Sequence, residues 1–204
     1  AESDNNLVTI SVTDDLLTMT PAENYFGTAN ITVTVSDDFL TDDETFLLTI
    51  TPVNDVPTIN IPSDISFAED SGHTEDFSGY IGDIDEDELT LTVSDTVNIT
   101  VSIDNFEVTF GAVENFNGTE TLTFTVNDSQ GRAMASDSID IIVAPINDAP
   151  VLAEVGDQFT DEDEDLTIEL SAFDVDIETN GQTLSYSAVS SDESLVVVST
   201  TAED

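Results

Sequence analysis

The 204 residues include no cysteine, no tryptophan, no lysine and a single arginine, Arg132. Without cysteine the chain has neither a disulfide framework nor a thiolate metal site, and redox chemistry gives no sign of its compartment. One arginine against 45 acidic side chains gives a formal charge of -44. Such a field repels nucleic acid, anionic lipid and acidic substrates, and it attracts metal ions and basic surfaces. Self-repulsion on this scale also opposes compactness unless cations screen it. No apolar run approaches the roughly 20 residues that a membrane-spanning helix needs, so membrane insertion is not expected. Nor is disorder expected, because 39% of the residues are apolar and disorder goes with low hydrophobicity as well as high charge.

The main organising feature is repetition. "PAENYFGTANITVTVSD" at 21–37 overlays "AVENFNGTETLTFTVND" at 112–128, so that Glu23 meets Glu114, Gly27 meets Gly118 and Asp37 meets Asp128, each pair 91 residues apart. The joint "ITPVNDVPTI" at 50–59 returns as "VAPINDAPVL" at 143–152, with Asn54 and Asp55 93 residues before Asn147 and Asp148. The front of the unit recurs as well: "FAEDSG" (67–72) aligns with "TDEDED" (160–165), and "GDIDEDELTLTV" (82–93) with "FDVDIETNGQTLSYS" (173–187). "SLVVVS" (194–199) echoes "NLVTIS" (6–11) about two periods away. The chain therefore divides into the back half of a repeat at 1–53, a complete repeat at 54–146 and the front half of another at 147–204.

Each unit reads as all-β. Ile31, Val33 and Val35 alternate with Thr32 and Thr34, and Leu122, Phe124 and Val126 with Thr123 and Thr125. Period-two alternation puts apolar groups on one face and threonines on the other, as in half-buried antiparallel strands. Ile99/Val101/Ile103, Ile139/Ile141/Val143 and Ile168/Leu170 continue the pattern. Seven or so such strands per repeat, separated by turns such as Asn117-Gly118 and Asn180-Gly181, predict tandem two-sheet sandwiches of immunoglobulin type, end to end.

The Asn-Asp joint, the upstream Asp-x-Asp pairs (Asp83/Asp85 and Asp174/Asp176), the acid closing the penultimate strand (Asp37, Asp128) and the glutamate near the first strand (Glu69, Glu162) together resemble cadherin repeats. More closely, they are similar to the cadherin-like repeats of very large bacterial surface adhesins. The resemblance covers the whole chain. It implies an extracellular or cell-surface location and calcium at the seams, an ion that takes about 6 to 8 oxygen ligands. Carried over residue by residue, the first seam would gather Glu23, Asn54, Asp55, Asp83, Asp85 and Asp128. The second would gather Glu69, Glu114, Asn147, Asp148, Asp174 and Asp176. Each seam lacks one acid, and Glu162 and Asp37 are the residues that adjoining copies would supply. Pro52 and Pro145 stand where a cadherin linker carries Asp, and Val56 and Ala149 where it carries Asn, which implies fewer ions per seam.

Other readings are weaker. Asp83-x-Asp85-x-Asp87 resembles the start of an EF-hand loop, but Glu88 stands where that loop needs glycine and Ser94 where it needs its last glutamate. A glycosidase-like carboxylate pair is permitted by residue type. However, the only histidine, His73, has no counterpart in the other copy, and no nucleophile-and-base or phosphate-loop pattern appears. Catalysis is therefore not expected. The expectation is a calcium-stabilised extender of a long secreted or surface protein, whose partners are neighbouring repeats and a surface or carbohydrate ligand. The alternatives are a filament subunit whose half-repeats complement head to tail and, less favoured, a carbohydrate-binding module.

Overall fold

A computed structural model describes residues 1–130, 134–177 and 181–200. The first unit contains β1 (Glu2–Ser3), β2 (Val8–Thr13), β3 (Leu16–Pro21), β4 (Gly27–Ser36) and β5 (Thr41–Ile50). The middle unit contains β6 (Thr58–Ile59), β7 (Asp64–Ala68), β8 (Gly72–Asp76), a 3-10 turn at Phe77–Tyr80, β9 (Ile81–Gly82), β10 (Thr90–Val93), β11 (Ile99–Asp104), β12 (Glu107–Ala112), β13 (Gly118–Asn127) and β14 (Met134–Ala144). The third contributes β15 (Val151–Leu152) and β16 (Ala172–Phe173). The fold is all-β, as the alternation predicts.

The middle unit is a sandwich of a four-stranded sheet, β10-β13-β14-β7, and a three-stranded sheet, β11-β12-β8. Leu122, Phe124 and Val126 are fully buried, and across the ladder Ile139, Ile141 and Val143 nearly so. Thr121, Thr123 and Thr125 point outward and hydrogen-bond to Asp140, Ser138 and Ser136. Phe77, Phe110 and Phe124 meet between the sheets, with the Phe77 and Phe124 rings 5.1 Å apart and near-perpendicular. Asp76 caps the turn that carries Phe77 by accepting from the Ser78 amide at 2.9 Å. A carboxylate in that position satisfies an N–H that a short turn leaves free.

One pairing departs from the antiparallel expectation. β7 runs parallel to β14, with Asp64 opposite Asp140 and Ala68 opposite Ala144. A repeat entered at one pole and left at the other has first and last strands running the same way, so they pair in parallel once adjacent.

The repeat is visible in backbone detail. Gly27 (φ 137°) and Gly118 (φ 142°) adopt a conformation that side chains resist, and a Cβ at Gly118 would lie 3.3 Å from the Phe116 ring. Asn24 and Asn115, 91 residues apart, are both left-handed, with φ 57° and 59°.

The two half-units differ for a topological reason. In the middle unit the back-half strands pair as consecutive hairpins, β11 with β12 and β13 with β14. The front-half strands β7, β8 and β10 find their ladders on β14, β12 and β13. Residues 1–53 therefore keep their hairpins, β2 with β3 and β4 with β5, around a small core of Val8, Ala29 and Ile31. Among the described residues of 147–200 only the β15–β16 pair remains, the counterpart of β6–β9. The strand expected at Ile168 and Leu170 is absent, and Ile168 is exposed. Alternation supplies an apolar face, but a ladder needs a neighbour. The Asn180 half of the predicted Asn180-Gly181 turn lies outside the described residues.

Candidate metal centres

The linker at 51–57 carries no regular structure, and its two proline rings prevent it from joining a ladder. Asn54 and Asp55 are held instead by side chains of the middle unit. The Asp55 amide donates to Asp85 Oδ2 at 2.7 Å, and the Asp85 amide donates to Asp83 Oδ1 at 2.8 Å. Asn54 Nδ2 donates to Asp128 Oδ2 at 2.8 Å and to its neighbour's carbonyl, Asp55 O, at 3.0 Å. Asp128, at the end of β13, is 1% exposed. One carboxylate oxygen from each of Asp83, Asp85 and Asp87 falls within 4.8 Å of the others.

The second linker repeats this arrangement. The Asp148 amide donates to Asp176 Oδ2 at 2.6 Å, the Asp176 amide to Asp174 Oδ1 at 2.8 Å, and Asn147 Nδ2 to Asp148 O at 2.8 Å. From the middle unit, Glu69 Oε1 accepts from the Ile146 amide at 2.6 Å. Gln182 Nε2 donates to Asn147 Oδ1.

Burial separates these acids from the rest. Among the described residues the buried acidic side chains are Glu69, Asp128, Asp174 and Asp176, all of them at a seam. Carboxylates are seldom buried without a partner, and Glu69, Asp128 and Asp176 accept from Ile146, Asn54 and Asp148 of the linkers. Two carboxylate oxygens, Asp83 Oδ2 and Asp148 Oδ2, are shielded from solvent and accept no hydrogen bond. One such atom lies in each cluster. An orphaned anionic oxygen costs free energy unless a cation or donor reaches it, so this donor set fits a hard divalent cation.

The electrostatics agree. Burial, followed by the charges of Asp83, Asp85 and Asp128, raises the Asp87 pKa above the usual carboxylate value, with the Gln130 amide partly opposing. Burial, followed by the charges of Asp70, Asp176, Glu69 and Asp174, does the same to Asp148. Both shifts report anions crowded together.

Not every residue named from the sequence joins a cluster. Glu23 and Glu114 are exposed on their turns, and no hydrogen bond among the described residues ties them to a linker. The neighbours of Glu23, Asn24 to Phe26, do line a hollow at the first seam with Asp55 and Asp85. Asp37 is exposed and accepts from the Phe39 and Leu40 amides at 3.0 and 2.7 Å, which lower its pKa. Glu162 is exposed. Conversely, Asp87, Asp70, Gln130 and Gln182 belong to the clusters without having been assigned to a seam from the sequence. Asp87 was visible as the third acid of Asp-x-Asp-x-Asp, and Asp70 recurs as Asp163; the glutamines carry no repeat signal.

Residues 54–142 match the family model described as the bacterial Ig domain. The middle unit is an immunoglobulin-like sandwich. No curated protein matches the chain. Among solved structures, an endo-fucoidan hydrolase from glycoside hydrolase family 107 is 19% identical, with 72% of this chain and 23% of the hydrolase covered and a TM-score of 0.36. The titin domains z1z2, in complex with telethonin, are 12% identical over 69% of this chain and 74% of theirs, with a TM-score of 0.34. A titin Ig tandem is 13% identical over 70% and 76%, with a TM-score of 0.32. The chain thus spans about a quarter of the hydrolase it resembles, 23% of its length. Among the described residues no helix is long and apolar enough to cross a membrane.

Proposed function

We propose that this chain is a calcium-stabilised extender segment of a long secreted or cell-surface protein, of the cadherin-like kind found in bacterial adhesins. The observation that carries the reading is the burial of Glu69, Asp128, Asp174 and Asp176 at the two seams. Asn54, Asp55, Asp83, Asp85, Asp87 and Asp128 would hold calcium at the first seam, and Glu69, Asn147, Asp148, Asp174 and Asp176 at the second. The ion would neutralise the crowded carboxylates and stiffen a joint between units that otherwise touch only their neighbours. Acids duplicated at successive joints suit a structural ion better than a single active site, so we assign no catalysis.

Neighbouring repeats are the partners of this reading, and a carbohydrate or cell-surface ligand would be engaged elsewhere in the longer protein. A filament reading rests on the pairing rule above. The front-half strands of 147–200 need partners of the β12–β14 type, and residues 1–53 of a second copy carry such strands. Within a continuous polypeptide the following residues would supply them instead.

Small-angle scattering and thermal melting of the chain, in calcium and in chelator, test the extender. A cation that binds only the folded state stabilises it by about 2.7 kcal/mol at roughly 100 times its dissociation constant. The expected result is a higher melting temperature and a longer, stiffer particle with calcium. Unchanged melting and dimensions would contradict the reading.

A further inference from the structure

Among the described residues β10 pairs only with β13 and β11 only with β12, so along that side of the middle sandwich two strand edges lie without a ladder between them, as β7 and β8 do on the other. Between β10 and β11 lies a groove of about 640 Å³ lined by the half-buried Asp87, Leu89, Ile103 and Phe106 and the exposed Glu88 and Asn105. Ile103 and Phe106 pack on the core, which fixes the floor. Grooves of this volume are of ligand size. Unpaired strand edges accept an extended peptide through backbone hydrogen bonds, while alternate side chains fill whatever lies beneath.

We propose that this groove binds an extended peptide segment of another protein, one carrying a lysine or arginine beside large apolar residues. The alternation of a strand sends apolar side chains toward Phe106 and Ile103 and leaves basic ones at the exposed Glu88. The counter-charge must come from outside, because the chain has one arginine and no lysine. An acidic or neutral polar segment would meet the same field without compensation. The groove belongs to the middle unit alone: the residue 91 positions before Phe106 is Asp15.

The test uses a fluorescently labelled hexapeptide of alternating lysine and valine, with an alternating lysine-serine hexapeptide of equal charge as its control. Anisotropy titrations with the full chain are run in chelator and about 150 mM salt, where long-range attraction to an acidic surface is screened, so the outcome is independent of the calcium reading. The lysine-valine peptide should bind at least about tenfold more tightly than the control. Amide shifts should concentrate in 88–93 and 99–106. Glu88→Gln should weaken binding several-fold, as should Phe106→Ala where that variant folds; the exposed Glu88 variant carries the test if it does not. Equal affinities for the two peptides, shifts centred elsewhere, or an unchanged affinity in Glu88→Gln would overturn the proposal. So would shifts of the same amides on raising the chain concentration without peptide, which would assign the groove to a second copy.

Discussion

The backbone amide of Asp55 donates to the carboxylate of Asp85 across 2.7 Å. One period later Asp148 and Asp176 repeat the contact at 2.6 Å. Each bond fastens a linker to the Asp-x-Asp loop of the following unit. It engages one carboxylate oxygen and leaves others turned into the cluster, among them Asp83 Oδ2 and Asp148 Oδ2. The position of the linker and the oxygens proposed as cation ligands therefore depend on the same residues.

Asp85→Ala should damage the first seam in two ways. It strands the Asp55 amide, which costs on the order of 1 kcal/mol at a partly exposed site, and it removes one proposed ligand. Asp104→Ala should behave differently. Asp104 is an exposed acid directly opposite Glu107, and removing one of two like charges in a cross-strand pair changes stability by no more than about 0.5 kcal/mol. Calcium titration calorimetry on both variants should show at least about tenfold weaker binding for the first and unchanged binding for the second. Equal affinities would sink the seam assignment.

The pH dependence of the calcium-free chain follows from opposing groups. Asp87 and Asp148 keep their protons to higher pH in the folded chain than in the unfolded one. Between the ordinary carboxylate value and those raised values the folded state binds more protons, so stability falls as pH rises through that window. Asp37 and Asp76 are lowered by backbone amides, and their contribution is present above the ordinary value and lost as pH falls through their folded values. Urea midpoints measured in chelator between about pH 3 and 7 should therefore peak on the acid side of neutrality, near the carboxylate range. Asp148→Asn should flatten the decline toward neutral pH. A midpoint rising steadily to pH 7 would contradict the crowding.

Phe124→Ala should destabilise the middle unit without regard to calcium. The side chain is fully buried against Phe77 and Phe110, and truncations of this kind cost about 3 to 5 kcal/mol. Chemical denaturation of the variant in saturating calcium should show the deficit at nearly full size. Full rescue by calcium would mean that the seams, and not this core, hold the sandwich.

Much of this was legible in the sequence because repetition exposes it. The alternation through Leu122, Phe124 and Val126 specified a strand and its buried face, and the recurrence of Asn-Asp and Asp-x-Asp singled out acids that lie buried or half-buried at the seams. What periodicity could not give was pairing. Nothing in Asp64 to Ala68 announces that this strand lies parallel to β14, since direction depends on where the chain enters and leaves the unit. Nor does the alternation at Ile168 and Leu170 reveal that its ladder needs partners of the β12–β14 type. Glu120 was missed for a similar reason. Its carboxylate accepts from the amides of Val97, Asn98 and Ile99 at 2.7, 2.7 and 3.1 Å, while its counterpart 91 positions earlier is Ala29, so the repeat hides it.

The central claim is that the two acid clusters hold calcium, and counting ions is its most direct test. Native mass spectrometry of the chain in calcium, with magnesium as the competing ion, should show at least one calcium for each seam. Asp148→Asn should lose the second seam's ions and retain the first's. A chain that carries no calcium in preference to magnesium, or a variant that keeps the full complement, would contradict the account.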